Sequence, residues 1–167
     1  ERLAAARADM YWYNPLVDDP RDPESLTRKM YRMNRLPCLN TGGTVGTAAW
    51  VFASTVLKIR HLAVVGMDFG YPGERPWKET QTYYELVDRL GSEEDIENYF
   101  VESVFPLTGE SFYTDPTYYW YRQNFLELLS KASHSVTVNC TEGGTLTDGI
   151  ACLSLDAFLA KHKGRAA

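Results

Sequence analysis

The residues able to do chemistry in this 167-residue chain gather in three glycine turns and one aromatic run. The first turn is Asn40-Thr41-Gly42-Gly43-Thr44-Val45-Gly46-Thr47, followed by the apolar run Ala48-Ala49-Trp50-Val51-Phe52-Ala53. Glycines at 42, 43 and 46 permit close backbone approach. A helix opening behind them aims free N–H groups and the positive end of its dipole at the turn, which is how a phosphate or carboxylate is held. Asn40 belongs to the same ligand-facing segment, and Thr41, Thr44 and Thr47 add hydroxyl donors. The pattern is neither GxGxxG nor a P-loop, because no lysine follows. The alternative is a turn needed only for tight helix–strand packing.

The second turn, Gly66-Met67-Asp68-Phe69-Gly70, directly follows the apolar run His61-Leu62-Ala63-Val64-Val65. Asp68 is therefore expected at the carboxyl end of a strand, where open α/β sheets bind ligands. An acid there can hold a ribose hydroxyl, a metal ion or an acceptor hydroxyl. Its alternative is a loop cap. The Asp-Phe-Gly triplet is no kinase signal, since neither a His-Arg-Asp loop nor a GxGxxG loop accompanies it. The third turn, Thr141-Glu142-Gly143-Gly144, follows a β-branched run and offers Glu142 as an acid or base, or else it is a simple strand-to-loop turn. The aromatic run holds Phe112, Tyr113, Tyr118, Tyr119, Trp120, Tyr121 and Phe125, with Asp115 among them. Such rings stack on a base or a sugar, though core packing accounts for at least half of them. Arg75, Trp77 and Lys78 offer phosphate neutralisation or form a solvated loop. No nucleophile motif of the GxSxG or SxxK kind is present.

The elements that must position these residues follow from periodicity. Residues 10–14 read as a strand and 15–23 as a Pro- and Asp-rich loop. Leu26, Met30, Met33 and Leu36 mark an amphipathic helix over 24–36, ended by Pro37. The helix opening at the first turn runs to about residue 58; it is apolar nearly all round, so it is expected to be buried against a sheet. Residues 61–66 read as a buried parallel strand. Residues 67–76 and 106–116 read as loops, 80–90 and 93–102 as helices. A helix over 117–131 is capped by Thr114 or Asp115. A strand over 135–140 and a helix over 153–162, with Ser154 as N-cap, close the chain. Strands alternating with helices give an α/β class with a mostly parallel sheet and helices on both faces. The strand count is low for a doubly wound sheet, and the chain opens on Glu1 within helical-looking sequence, so an incomplete or processed unit is expected.

Composition narrows the function. The net charge is −5, with no Lys/Arg run, so no nucleic-acid partner is expected. The longest apolar stretch, 45–57, is too short to span a membrane. Cys38, Cys140 and Cys152 carry no CxxC and read as reduced thiols of a cytoplasmic protein. The three histidines are scattered, and no Cys/His metal site is expected.

Taken in order, NTGGTVGTAAW, HLAVVGMDFGYP, TDPTYYWY and VNCTEGGTLTDGI resemble the domain shared by bacterial motility-associated factor (Maf) flagellin glycosyltransferases and archaeal MptE-type 6-hydroxymethylpterin diphosphokinases. The resemblance covers about 36–158. It implies a Rossmann-like fold and a transferase acting on a nucleotide-linked donor. In one branch the donor is a CMP-activated nonulosonic acid and the acceptor a flagellin-like protein. In the other the donor is ATP, with Mg²⁺, and the acceptor a pterin alcohol. It carries Gly42, Gly43, Thr44, Val45 and Gly46 onto the family's glycine turn. Gly66 and Asp68 match the acidic motif after the strand. Thr114-Asp115 and Glu142-Gly143-Gly144 match the two later motifs, which makes Asp68, Asp115 and Glu142 the candidate catalytic residues. The family's first nucleotide-binding strand and turn have no counterpart here, and the loop after Asp68 is elaborated. The expectation is therefore a nucleotide-dependent transferase of the Maf type. An MptE-like pyrophosphokinase is the alternative, and a non-catalytic half-domain that assembles as a homo-oligomer is a third reading. On the first reading, a β-branched residue at Gly43 removes nucleotide binding and leaves the fold partly intact.

Overall fold

The computed structural model describes residues 10–73 and 77–163. The expected N-terminal helix and Arg75 lie outside the described residues. The chain divides into two compact units, residues 1–41 and 42–167.

The first unit pairs β1 (Asn14–Pro15) with β2 (Cys38–Leu39) in parallel, and α1 (Leu26–Asn34) lies between them in sequence. Polar bonds build it. Asn14 and Asn34 exchange two amide hydrogen bonds of 2.9 Å. The Asp18 carboxylate accepts from the Ser25 hydroxyl and from the Leu26 and Thr27 amides. The Ser25 bond leads in holding that carboxyl well below the usual range. Ser25 caps the helix, and Arg35 ends it in the left-handed conformation at φ 60°. The sequence spacing marked an apolar face, yet Thr27 is the buried residue of α1 and Met33 is 85% exposed.

Among the described residues the second unit contains two three-stranded sheets. The parallel one has the order β3 (His61–Val64), β7 (Val136–Asn139), β8 (Ala151–Cys152). Its register runs from His61 opposite Val136 to Val64 opposite Asn139, then places Asn139 opposite Cys152. The antiparallel one has the order β4 (Tyr71–Pro72), β6 (Ser111–Thr114), β5 (Val101–Val104). The fold is thus mixed α/β. The expected parallel strands are there, but an antiparallel sheet accompanies them. It takes residues expected from sequence to be loop (71–72 and 111–114) and the end of a helix (101–102). Short β-branched and aromatic segments of four residues satisfy either period, and only the pairing of Val101 with Thr114 through Val104 with Ser111 decides the strand.

Helix α2 (Val45–Val51) passes into a π turn over Phe52–Val56. It buries Trp50 and Val51, but Val45 is 88% exposed and Phe52 and Val56 also face solvent. One face packs, against the expectation of burial all round. Two short helices follow, α3 (Gln81–Leu90) and α4 (Glu93–Glu97). Helix α5 (Pro116–Lys131) starts with Asp115 as N-cap and Pro116 in its first turn, where a missing N–H costs nothing. Helix α6 (Leu155–His162) is capped by Ser154.

The core joins these layers through rings. Trp50 meets Phe125 edge-on at 5.3 Å, and Phe69 lies 6.1 Å from Phe125. The Trp50 indole N–H donates to the Thr137 hydroxyl on β7 at 2.9 Å. Val51, Val64 and Leu146 complete the cluster. Among the described residues no helix is long and apolar enough to cross a membrane. Phe125 is fully buried at the centre of the ring cluster. Phe125→Ala is expected to cost about 3–5 kcal/mol, read as a lower midpoint in urea unfolding; a loss under about 1 kcal/mol would show that the cluster closes around the cavity.

Candidate functional site

The segment after β3 is held on two sides by backbone. On one side lies the Gly144 turn. Gly144 sits at φ +84°, and a Cβ there would fall 2.4 Å from the Asp68 carbonyl oxygen and 2.5 Å from its Cα. The adjacent Thr145 amide donates to that same carbonyl at 2.7 Å. On the other side is β6: a Cβ on Gly70 would fall 2.5 Å from the Tyr113 carbonyl oxygen. Between them Phe69 adopts φ +49°, a conformation that strains a residue with a bulky side chain. Its carbonyl accepts from two buried hydroxyls, Thr114 at 2.9 Å and Thr145 at 2.8 Å. The Met67 amide donates to the Thr141 hydroxyl at 3.3 Å.

This loop and the start of α2 enclose a cavity of about 280 Å³, lined by Thr44, Gly46, Tyr118 and residues 66–70. Small-molecule sites run from about 300 Å³ upward, so the space suits part of a nucleotide, such as a sugar phosphate. The Asp68 carboxylate has no hydrogen-bond or ion-pair partner among the described residues. More than a third of its surface stays open to solvent, yet burial of the remainder raises its pKa. Tyr118 meets Tyr71 edge-on at 5.2 Å on the far side of the cavity wall. Burial, then the hydrogen bond to Asp115, pushes the Tyr71 hydroxyl above its ordinary pKa.

The sequence candidates sort clearly against this geometry. Thr44, Gly46, Gly66 and Asp68 share the cavity. Thr44 and Thr47 spend their side chains on each other's amides in a reciprocal capping box at 3.1 Å, and Thr47 is fully buried. Gly42 and Gly43 face α5 instead. A Cβ on Gly42 would lie 2.8 Å from Leu128, and one on Gly43 2.8 Å from Tyr121. The Gly43→Val substitution therefore strikes the α5 packing as well as the turn, and Gly46 is the cleaner probe. Asn40 and Thr41 belong to the first unit.

Asp115 is 1% exposed. Its oxygens accept from the Tyr118 amide at 2.7 Å, the Tyr71 hydroxyl at 2.9 Å and the Thr82 hydroxyl at 2.6 Å. It thereby ties α5 to β4 and α3. Thr114 is occupied by Phe69. Glu142 sits at φ +63° and accepts from the Leu155 amide at 3.1 Å, which serves the start of α6. Gly143 faces Phe112, where a Cβ would lie 2.9 Å from the ring, and Gly144 backs Asp68. Lys78 pairs with Glu93 and lies over the Trp77 ring. Sequence reasoning did not single out Met67, Phe69 or Gly70 as lining residues. Tyr118 is one of seven aromatics in its run, and no signal in the sequence separates it from the others. Among the described residues no three His, Cys, Asp or Glu side chains converge on one point.

No family model, no curated protein and no solved structure matches this chain.

Two outcomes follow from this geometry. Gly144→Ala drives a methyl into the Asp68 backbone, whereas Gly66, at φ +73°, has nothing within 4 Å of a Cβ. Gly66→Ala is expected to cost about 1–2 kcal/mol of conformational strain and Gly144→Ala clearly more; equal losses in chemical denaturation would refute the clamp. The second concerns pH. An acid whose folded pKa is raised binds its proton more tightly when folded, so its ionisation opposes folding at neutral pH, and that opposition fades as pH falls through the raised pKa. Asp68→Asn is therefore expected to be more stable than the wild type at pH 7, with the gap closing toward the unfolded carboxyl pKa of about 4. A gap of the same size at both ends of that range would mean that Asp68 is not desolvated.

Proposed function

We propose that this chain is a nucleotide-dependent transferase domain of the Maf type, with a Rossmann-like parallel layer and a CMP-activated nonulosonic sugar as donor. One observation carries the reading. The cavity at the carboxyl end of β3 brings the first turn of a helix, a carboxylate without an internal partner and an aromatic ring within reach of one small ligand. Gly46 presents its helix N-terminal amide to the donor phosphate, and Thr44 lines the space beside it, its own amide being bonded to the Thr47 hydroxyl in the capping box. Asp68 takes a ribose or sugar hydroxyl, and its raised pKa suits proton exchange with an acceptor. Tyr118 supplies a ring wall for a sugar. The four ordered motifs support the family assignment, and the cavity draws on three of them: the glycine turn, the acidic loop and, through Tyr118, the TDPTYYWY run.

The pyrophosphokinase alternative uses Mg²⁺. Asp68 is the carboxylate on the cavity among the described residues, and Mg²⁺ takes one or two carboxylates beside substrate phosphates. Asp68 would hold the ion, which would screen the charge of the transferred phosphates.

Thermal-shift titration with CMP, CDP, UDP, GDP and ATP, each with and without Mg²⁺, tests the proposal. A nucleotide at 100 times its Kd adds about 2.7 kcal/mol, a shift of several degrees. CMP is expected to stabilise without Mg²⁺. Stabilisation by ATP only with Mg²⁺ would move the assignment to the pyrophosphokinase, and no shift with any nucleotide would overturn it. Gly46→Ala is the companion variant. A Cβ at Gly46 meets Met67 at ordinary contact distances of 3.5–3.7 Å, and alanine favours a helix by about 1 kcal/mol over glycine. The variant is expected to be at least as stable as the wild type and to bind CMP at least about tenfold more weakly; undiminished affinity would remove the phosphate from this turn.

A further inference from the structure

Charge is unevenly spread along the chain. Residues 77–110 hold nine acidic side chains against two basic ones, Lys78 and Arg89, a net −7 in a chain whose total is −5. Of those two cations, Lys78 is engaged by Glu93. These residues form α3, α4 and β5 and lead into the antiparallel sheet, so the sheet stands in a strongly negative field.

The same sheet carries a groove. A cavity of about 440 Å³ opens against Pro72, Gly73, Ser111, Phe112 and Tyr113, with Glu102 and Glu110 on its lining. It exceeds the cavity beside Asp68 in volume and shares no residue with it. Neither Glu102 nor Glu110 has a cationic partner among the described residues; Glu110 accepts from the Thr108 hydroxyl at 3.3 Å. Alongside lies β5, an edge strand of the order β4-β6-β5. Its Val101 and Val104 are each 57% exposed. Edge strands in soluble proteins are usually blunted by lysine, proline or a covering segment. The Val101-Glu102-Ser103-Val104 edge has neither lysine nor proline.

We infer that this groove and edge dock an extended, basic segment of a protein partner, in which Lys or Arg side chains alternate with apolar ones. The apolar residues would cover Val101 on one face of the edge, and the cations would meet Glu102 on the opposite face, together with Glu110 at the groove. An extended segment added to a sheet edge gains main-chain hydrogen bonds, and alternate side chains supply specificity. Charge selects this occupant over others. A second copy of the chain would bring the same negative surface against itself, and nucleic acid or an anionic bilayer would be repelled in the same way.

The probe is a fluorescent eight-residue peptide with two Lys-Val-Lys-Thr repeats, set against the same peptide with Glu for Lys, in anisotropy titrations on the full chain. The lysine peptide is expected to bind saturably and the glutamate peptide not to bind. Glu102→Gln with Glu110→Gln is expected to weaken binding at least about tenfold. Glu94→Gln with Glu97→Gln removes the same charge from exposed positions on α4 and is expected to weaken it by less than about twofold. Thermal unfolding confirms that both double variants remain folded. Absent saturation, equal binding of the two peptides, or equal weakening by the two double variants would overturn the inference. So would a dimer, seen by sedimentation, that Glu102→Gln with Glu110→Gln dissolves, since the face would then belong to a second copy.

Discussion

The second unit is organised by one close approach, the backbone of Gly144 against the backbone of Asp68. A side chain at position 144 would occupy space held by main-chain atoms 2.4–2.8 Å away, so glycine is a steric requirement there and its positive φ comes without the usual penalty. The approach brings the turn after β7 onto the loop after β3. It lets the Thr145 amide reach the Asp68 carbonyl and the Thr145 hydroxyl reach Phe69. With Thr114 bonding the same Phe69 carbonyl from β6, the loop is specified by both sheets at once. A strained Phe69 persists because its carbonyl bonds and its buried ring over-determine it.

The consequence for the site is rigidity where a ligand would sit. The loop cannot move without displacing Phe69 from the ring cluster with Phe125 and Trp50. Trp50 belongs to α2, whose first turn supplies Thr44 and Gly46 to the cavity. Phe125 belongs to α5, which supplies Tyr118 from its own first turn. The core that stabilises the unit is therefore also the frame that sets the distance between the cavity walls. Asp115 adds a polar counterpart. By accepting from Tyr71, Thr82 and the Tyr118 amide, it joins α5 to the first strand of the antiparallel sheet, and these three donors satisfy its buried oxygens.

Several features could be read from residue order alone. The Pro116 start and Asp115 cap of α5, the Ser154 cap of α6 and the parallel strands at 61–64 and 136–139 all rest on local rules. Capping and β-branched runs depend on neighbours within four residues, so they survive into the fold. Asp68 at the carboxyl end of β3 is of the same kind. By contrast, the antiparallel sheet carries the sequence signature of loop and helix end, because four-residue strands gain their identity from partners across the sheet. The apolar face of α1 and the apolar surround of α2 are left partly open to solvent, since periodicity shows which residues share a face and not what covers it.

What the sequence by itself determined was the local grammar: where helices begin, which runs are β-branched, and that three glycine turns and an acidic residue follow or precede them. Tertiary structure alone decided what each turn is for. Gly42 and Gly43 make room for Leu128 and Tyr121, Gly144 makes room for Asp68, and Gly46 borders an open cavity. Glu142 serves a helix end and Asp115 a buried knot of hydroxyls, while Asp68 keeps a carboxylate without an internal partner. The physical reason is that a glycine or a carboxylate carries the same local signature whatever stands opposite it. What stands opposite is fixed by contacts between residues 13 to 86 positions apart, and loop closure over such lengths is set by the packed core and not by neighbouring side chains.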